Sequence, residues 1–528
     1  MPVPNVRRAA LRLLALLLVA PGCRGGDATP DRRTLIDSRD TYDPRSLDPA
    51  LSTDVPTGRV TAYVFDGLTR FTPTAALEPS LAERWDVSPD GRVYTFHLRQ
   101  GVTFHDDTPF TARHVVASWR RVLDPATRGG RPLPLEPIAG ASDFQAGRAT
   151  AVSGLVVRDD STLVVTLAEP LAIFPKLLAM PMAAIVPDPL PADFAQRPIG
   201  TGPWRFVEWR HDDYLLFARN ERYWGGPPAA ESLRARIIPE PSTAVAEFES
   251  GNVDVLQVPE GETRQWEETD ERRARLQSAP ALRFYYVALN TTRGPLRDAR
   301  VRQALNHAVD VRTVLAQLAS GRGSAAAGVV PPALGGADTT RAAYAYDPAR
   351  ARQLLAEAGA TNLQLELWSS TTAPFPRIAE TIQGYLREVG VQAKLVQRDA
   401  SSAREAARNG EVDMIVKDWF ADYPDAENFL YPLLHSAAAG PGGNLSFFEN
   451  AAFDSLVTTA RRATDEAARL ALYRQADSLA FDAAPMIFLW FRNDLYAVQP
   501  WIQGFEVPTI FNGQRWTKVR VGPMGGQP

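Results

Sequence analysis

The side chains that could do chemistry are scattered, and their spacing argues against catalysis. The histidines are His97, His105, His114, His211, His307 and His435, and the single cysteine is Cys23. No two histidines have the His-Glu-x-x-His spacing that sets two ring nitrogens on one helix face toward a zinc ion. One cysteine can form neither an intrachain disulfide nor a thiolate cluster for a metal. Ser324, in Gly323-Ser324-Ala325, lacks the second glycine of the strained elbow that exposes a hydrolase nucleophile, and no partner base is identifiable. No catalytic residue, metal site or cofactor is therefore expected, and the chain is not read as an enzyme.

The cysteine has a different meaning. Residues 1–22 carry Arg7 and Arg8, then an apolar run from Leu13 to Ala20, then Pro21-Gly22. The run is too short to span a bilayer, which needs about 20 apolar residues, and reads as a secretory signal peptide. Cys23 resembles the lipidated cysteine of a bacterial lipoprotein, with small Gly22 before it, although Ala20 stands where Leu is common. Residues 23–32 then form a polar, Gly/Pro-containing tether suited to a membrane-anchored protein of the periplasm or cell envelope. The formal charge is −4. Removing the leader takes Arg7, Arg8 and Arg12 and no acid, which leaves −7. An acidic surface argues against a nucleic-acid partner. Lysine is rare, at Lys176, Lys394, Lys417 and Lys518, a bias read as base composition.

With 528 residues, 45% apolar and 22% charged, the chain can build two or three globular domains. Helix and strand signals alternate, so the class is mixed α and β. Arg92 to Arg99 alternates apolar and polar residues after the turn Asp90-Gly91. Thr111 caps a helix over about 112–122. Gly154 to Leu167 reads as a second hairpin, and strands follow at 204–209 and 214–219. A helix fits 297–318, and another fits 348–358, between Asp347 and Gly359. Glu249 to Asp254 and Arg408 to Asp413 echo each other: a helix end, a glycine cap, then a buried strand. The repeated exit suggests two α/β lobes, which bind ligands in the crevice between them.

Several motifs then stand in one order. They are Ser46-Leu47-Asp48-Pro49-Ala50 and Phe65-Asp66-Gly67-Leu68-Thr69-Arg70, then Leu81 to Trp85, Ser88 to Gly91, Tyr94 to Arg99 and Phe104-His105. Pro198-Ile199-Gly200-Thr201-Gly202-Pro203, Tyr223-Trp224, Val301 to Asn306 and Trp419-Phe420-Ala421-Asp422-Tyr423-Pro424 follow. On these the chain resembles the family 5 extracellular solute-binding proteins, the dipeptide, oligopeptide and nickel binders of ABC importers, from about Ile36 to Trp516. Within the motif block one departure is Asp107, where that family usually has Gly, so the turn there is expected to differ in backbone conformation.

The resemblance implies an α/β fold, a two-lobed periplasmic-binding-protein clamp of class II, cluster C type, with an extra small α+β domain. Lobe I is expected at 33–75, 199–285 and 497–528, the extra domain at 76–198 and lobe II at 286–496. It further implies a monomer that captures short peptides by hinge closure and delivers them to an ABC permease and ATPase complex. Nickel chelates, opines and oligosaccharides are the alternative ligands. The motif acid, Asp422, is expected to hold the peptide α-amine, with Trp419, Tyr423 and Phe420 as pocket walls and Asp418 and Asp425 as competitors. Lys417 is a candidate for a ligand carboxylate. Thr57 and Arg59, just before a helix carrying Tyr63 and Phe65, are candidates on lobe I, and Trp490 for closing over the ligand. His97, His105 and His114 lie in the motif block and are expected to be structural.

Overall fold

The computed structural model describes residues 34–129, 132–259 and 263–523. The signal peptide, Cys23 and the 23–32 tether lie outside them. Among the described residues no helix is long and apolar enough to cross a membrane.

Eleven strands form one large mixed sheet that runs through two lobes. In order the strands are Gln392–Arg398, Gln364–Ser370, Met414–Phe420, Leu276–Leu289, Met486–Val498, Val255–Gln257, Leu35–Asp40, Ser232–Ile237, Tyr214–Arg219 and Trp204–Arg210, with Gly323–Ala325 beside Met486–Val498. The fourth and fifth are long because they belong to both lobes. Their Leu276 to Pro280 stretch pairs with Ala497 to Asn493 on the lobe I side. Phe284 to Ala288 pairs with Phe491 to Met486 on the lobe II side. Between them, from Pro280 to Phe284, the register shifts. Pro280 has no N–H to give the ladder, so the pairing is interrupted where the lobes join.

Each lobe repeats one construction. The helices Pro241–Glu249 and Ala400–Arg408 end at Gly251 and Gly410, with φ of +75° and +72°, and lead into Val255–Gln257 and Met414–Phe420. The acid between glycine and strand then binds the neighbouring parallel strand. Asp254 Oδ2 accepts the Asp37 N–H at 2.7 Å, and Asp413 Oδ2 accepts the Glu366 N–H at 3.0 Å. The echo in the sequence is thus a structural repeat that pins strand register in both lobes.

A third body has its own four-stranded antiparallel sheet, Ala82–Val87, Val93–Leu98, Thr162–Thr166 and Leu155–Asp159. Helix Ala112–Leu123 covers it. Thr111 and His114 form a reciprocal capping box, and Trp119 is fully buried. This domain is fastened to lobe I. The His105 ring lies 3.0 Å from Gly202 O, Thr69 donates to Pro175 O at 2.6 Å, and Asn512 donates to Ala179 O at 3.0 Å.

Two local expectations need correction. The 297–318 segment is two helices, Ala299–His307 and Val311–Leu318. Asp310 starts the second by accepting the Thr313 N–H at 3.1 Å, so the apolar spacing continues across a break. Asp107 does not change its turn: it adopts φ +75°, the left-handed conformation glycine favours, and its carboxylate pairs with Arg222. Asp is among the few side chains that tolerate that region.

Candidate functional site

Strand order locates the site before any side chain does. In lobe II, Gln364–Ser370 lies between Gln392–Arg398 and Met414–Phe420. Helix Phe375–Glu388 packs on one face of the sheet and helix Ala400–Arg408 on the other. Lobe I repeats the pattern, with Leu35–Asp40 between Ser232–Ile237 and Val255–Gln257. In such open sheets the connections diverge beside the first strand, and ligands bind outside the carboxyl ends there. Those ends are Asp40 and Gln257 in lobe I and Phe420 in lobe II. Together they line one cavity of about 350 Å³ between the lobes.

This hinge cavity is polar and internally paired. Asp40 is bound to Arg59 on the same lobe. Asp418 accepts from Arg283 Nε at 2.8 Å and Nη2 at 2.7 Å, both on lobe II strands. The Phe420 and Phe511 rings meet across the lobes at 6.1 Å. Arg283 and Asp40 carry no local sequence signal, because their roles arise from pairings between distant strands.

The second cavity, about 430 Å³, lies where the third domain meets lobe II. Leu133, Leu171, Ile173 and Leu177 supply one wall, and Trp419, Asp422, Tyr423 and Tyr431 the other. Asn428 shapes the motif turn: its Oδ1 accepts the Asp422 N–H at 2.9 Å and the Trp419 Nε1–H at 3.4 Å. Tyr423 is buried within the apolar core of the third domain, and its hydroxyl donates to Glu427. Burial pushes the Glu427 carboxyl up, against the pull of Arg461, whose Nε lies 2.9 Å away.

The structure thus brings Asp422, Trp419 and Tyr423 to one cavity and Phe420 and Arg59 to the other, with Phe420 facing opposite to its neighbour Trp419. Thr57 is elsewhere. It is buried inside helix Val55–Val64, where its hydroxyl donates to Asp54 and accepts the Arg45 N–H. The segment expected to precede a helix is therefore itself helical. Trp490 is buried in the lobe II core, stacked on Tyr285 at 4.9 Å. Lys417 lines neither cavity. Its Nζ lies 5.7 Å from the Phe375 ring, at the start of the helix that follows Gln364–Ser370, and burial lowers its pKa. Among the described residues no cluster of three or more His, Cys, Asp or Glu side chains could hold a metal.

A mixed sheet crossing a hinge, with both lobes' strand ends facing one cleft, defines a periplasmic-binding-protein clamp. The chain belongs to the bacterial extracellular solute-binding proteins, family 5, whose pattern matches residues 76–441. It is 32% identical to heme-binding protein A of Haemophilus influenzae over 457 residues, covering 81% of each chain. It is 31% identical to di/tripeptide-binding protein 2 of Pseudomonas aeruginosa over 507 residues, covering 91% of this chain and 93% of that one. Among solved structures it resembles an ABC transporter-associated periplasmic binding protein from Helicobacter pylori in complex with peptide STSA. That likeness has a TM-score of 0.77 and 28% identity, over 93% of this chain and 98% of that one. A second, HbpA2 from Haemophilus parasuis, gives a TM-score of 0.80 at 28% identity, over 93% and 100%.

Proposed function

We propose that the protein is the substrate-binding lipoprotein of an ABC importer, a binder rather than an enzyme, that captures short peptides between its lobes and presents the closed form to a membrane permease. The observation that carries this reading is the convergence of both lobes' strand ends on one cleft, with the Asp422 turn beside it. A binder of many sequences must grip what all peptides share, which is the α-amine, the backbone and the terminal carboxylate. Asp422 takes the amine, since a charged hydrogen bond in a partly desolvated pocket contributes about 1.5–3 kcal/mol. Trp419 and Tyr423 flank the first side chain, and Phe420 with Arg59 bounds the hinge end. Lys417 lies outside both cavities, with its ammonium 5.7 Å from the Phe375 ring, and no ligand contact is proposed for it. We keep the division into lobe I at 33–75, 199–285 and 497–528, a third domain at 76–198 and lobe II at 286–496, but place its two crossings at the register shift of the shared strands, between Pro280 and Phe284 and between Phe491 and Asn493, so that Arg283, which pairs with Phe420, belongs to lobe II. Lipidation of Cys23 holds the protein at the cell envelope.

Native mass spectrometry of the purified protein tests the ligand class. Co-purified peptides of mixed sequence and free N-termini are expected. A homogeneous heme, metal-chelate or sugar adduct in their place removes the peptide reading and leaves the clamp.

A further inference from the structure

The seam between the third domain and lobe II holds a buried ion pair. Lys176, on the short helix Phe174–Leu177, extends its Nζ to Asp425 Oδ2 at 2.6 Å and to Pro424 O at 3.0 Å. Asp425 is itself buried, and Arg469 holds it from the lobe II side at 2.8 Å and 3.0 Å. Burial alone would raise the Asp425 carboxyl, but Lys176 and Arg469 outweigh it and hold it below the ordinary range. Asp425 Oδ1 also accepts the Glu427 N–H at 3.1 Å, at the start of helix Glu427–Leu434. The next residue, Asn428, is the one whose side chain holds the Asp422 N–H. A continuous set of contacts therefore runs from Lys176 through Asp425 and the helix start to Asp422.

We infer that Lys176 is a positioning residue for ligand capture: docking of the third domain on lobe II seats its ammonium on Pro424 and Asp425 and so fixes the turn that carries Asp422. The third domain is fastened to lobe I, so this contact is made when the clamp is shut and lost when it opens. Only interactions that differ between two states shift their balance, and this one differs. Asp425 keeps Arg469 in either state, so opening strands no buried charge and the contact can be broken repeatedly. The neighbouring Arg462–Glu169 pair spans the same seam at 2.6 Å, but both side chains are more than half exposed, where ion pairs contribute little.

The test compares Lys176→Met with the wild-type mature chain, with Arg462→Gln as the control. Stopped-flow dissociation of tri-alanine and small-angle X-ray scattering with and without tri-alanine are the readouts. Lys176→Met is expected to release the tripeptide about tenfold faster or more, with an unchanged melting temperature, while Arg462→Gln stays within about twofold. Lys176→Arg, which keeps the charge, is expected to restore much of the wild-type rate. If the wild type ignores tri-alanine, the peptide reading is lost and scattering alone decides: a larger radius of gyration for Lys176→Met supports the positioning role. Superimposable scattering and equal release rates overturn it, as does a lower melting temperature with neither of those changes.

Discussion

The two cavities pair their charges in opposite ways. At the hinge, Asp40 with Arg59 and Asp418 with Arg283 are each satisfied within one lobe. At the seam with the third domain, Lys176 with Asp425 and Arg462 with Glu169 run from one body to the other. Pairs inside a lobe contribute equally to the open and shut forms, so they build the walls of the cleft without favouring either. Under the proposed hinge motion the buried Lys176–Asp425 pair is made only in the shut form and favours it together with the ligand contacts, whereas the exposed Arg462–Glu169 pair adds little. Tyr423 follows the same division, being a lobe II residue buried in the core of the third domain.

Breaking a hinge pair is the largest way to probe this contrast. Arg283→Met leaves Asp418, whose side chain is 19% exposed, without its guanidinium. A loss of about 1–3 kcal/mol in unfolding free energy is expected, of equal size with and without ligand. Denaturant titration in both conditions measures it, and a loss confined to the liganded protein would place Arg283 in direct ligand contact.

A smaller effect tests whether the third domain rides on lobe I. Burial lowers the His105 pKa to about 4, where an exposed histidine titrates near 6.5. Between those values the unfolded chain binds a proton that the folded chain does not, so stability rises with pH there and is lost as pH falls. Chemical melts at pH 4.5 and 6.5 are expected to show this slope, at most about one proton, and His105→Asn is expected to reduce it. An unchanged slope in the variant would mean that the His105 junction with Gly200 and Gly202 opens before global unfolding.

Much of the architecture was legible because it is written locally. Thr111 and Asp347 act as caps whether or not the rest of the chain is known, and Gly251, Gly359 and Gly410 all adopt positive φ after helices. The break between His307 and Val311 was hidden because an apolar stripe keeps its period across a reset helix. Asp107 shows the reverse, a departure from the family's glycine that leaves the backbone where glycine would put it. Within the site, the Trp419 to Pro424 run is legible through its resemblance to the family's Trp-x-Ala-Asp-Tyr motif. The partners that orient it are not. Lys176 is 249 positions from Asp425 and Arg283 is 135 from Asp418, and nothing in the local pattern of a lysine or arginine announces a distant carboxylate. The scarcity of lysine reads as base composition, whereas the place of Lys176 in the structure is specific.

Isothermal titration of Asp422→Asn with a free-amine tripeptide and its N-acetylated twin reaches the central claim most directly. The substitution keeps the shape of the side chain and removes its charge. The free-amine peptide is expected to lose about 1.5–3 kcal/mol of binding, roughly ten- to a hundredfold or slightly more in affinity, while the acetylated peptide binds both proteins alike. Equal losses for the two peptides, or no loss for either, would contradict the assignment of the amine to Asp422.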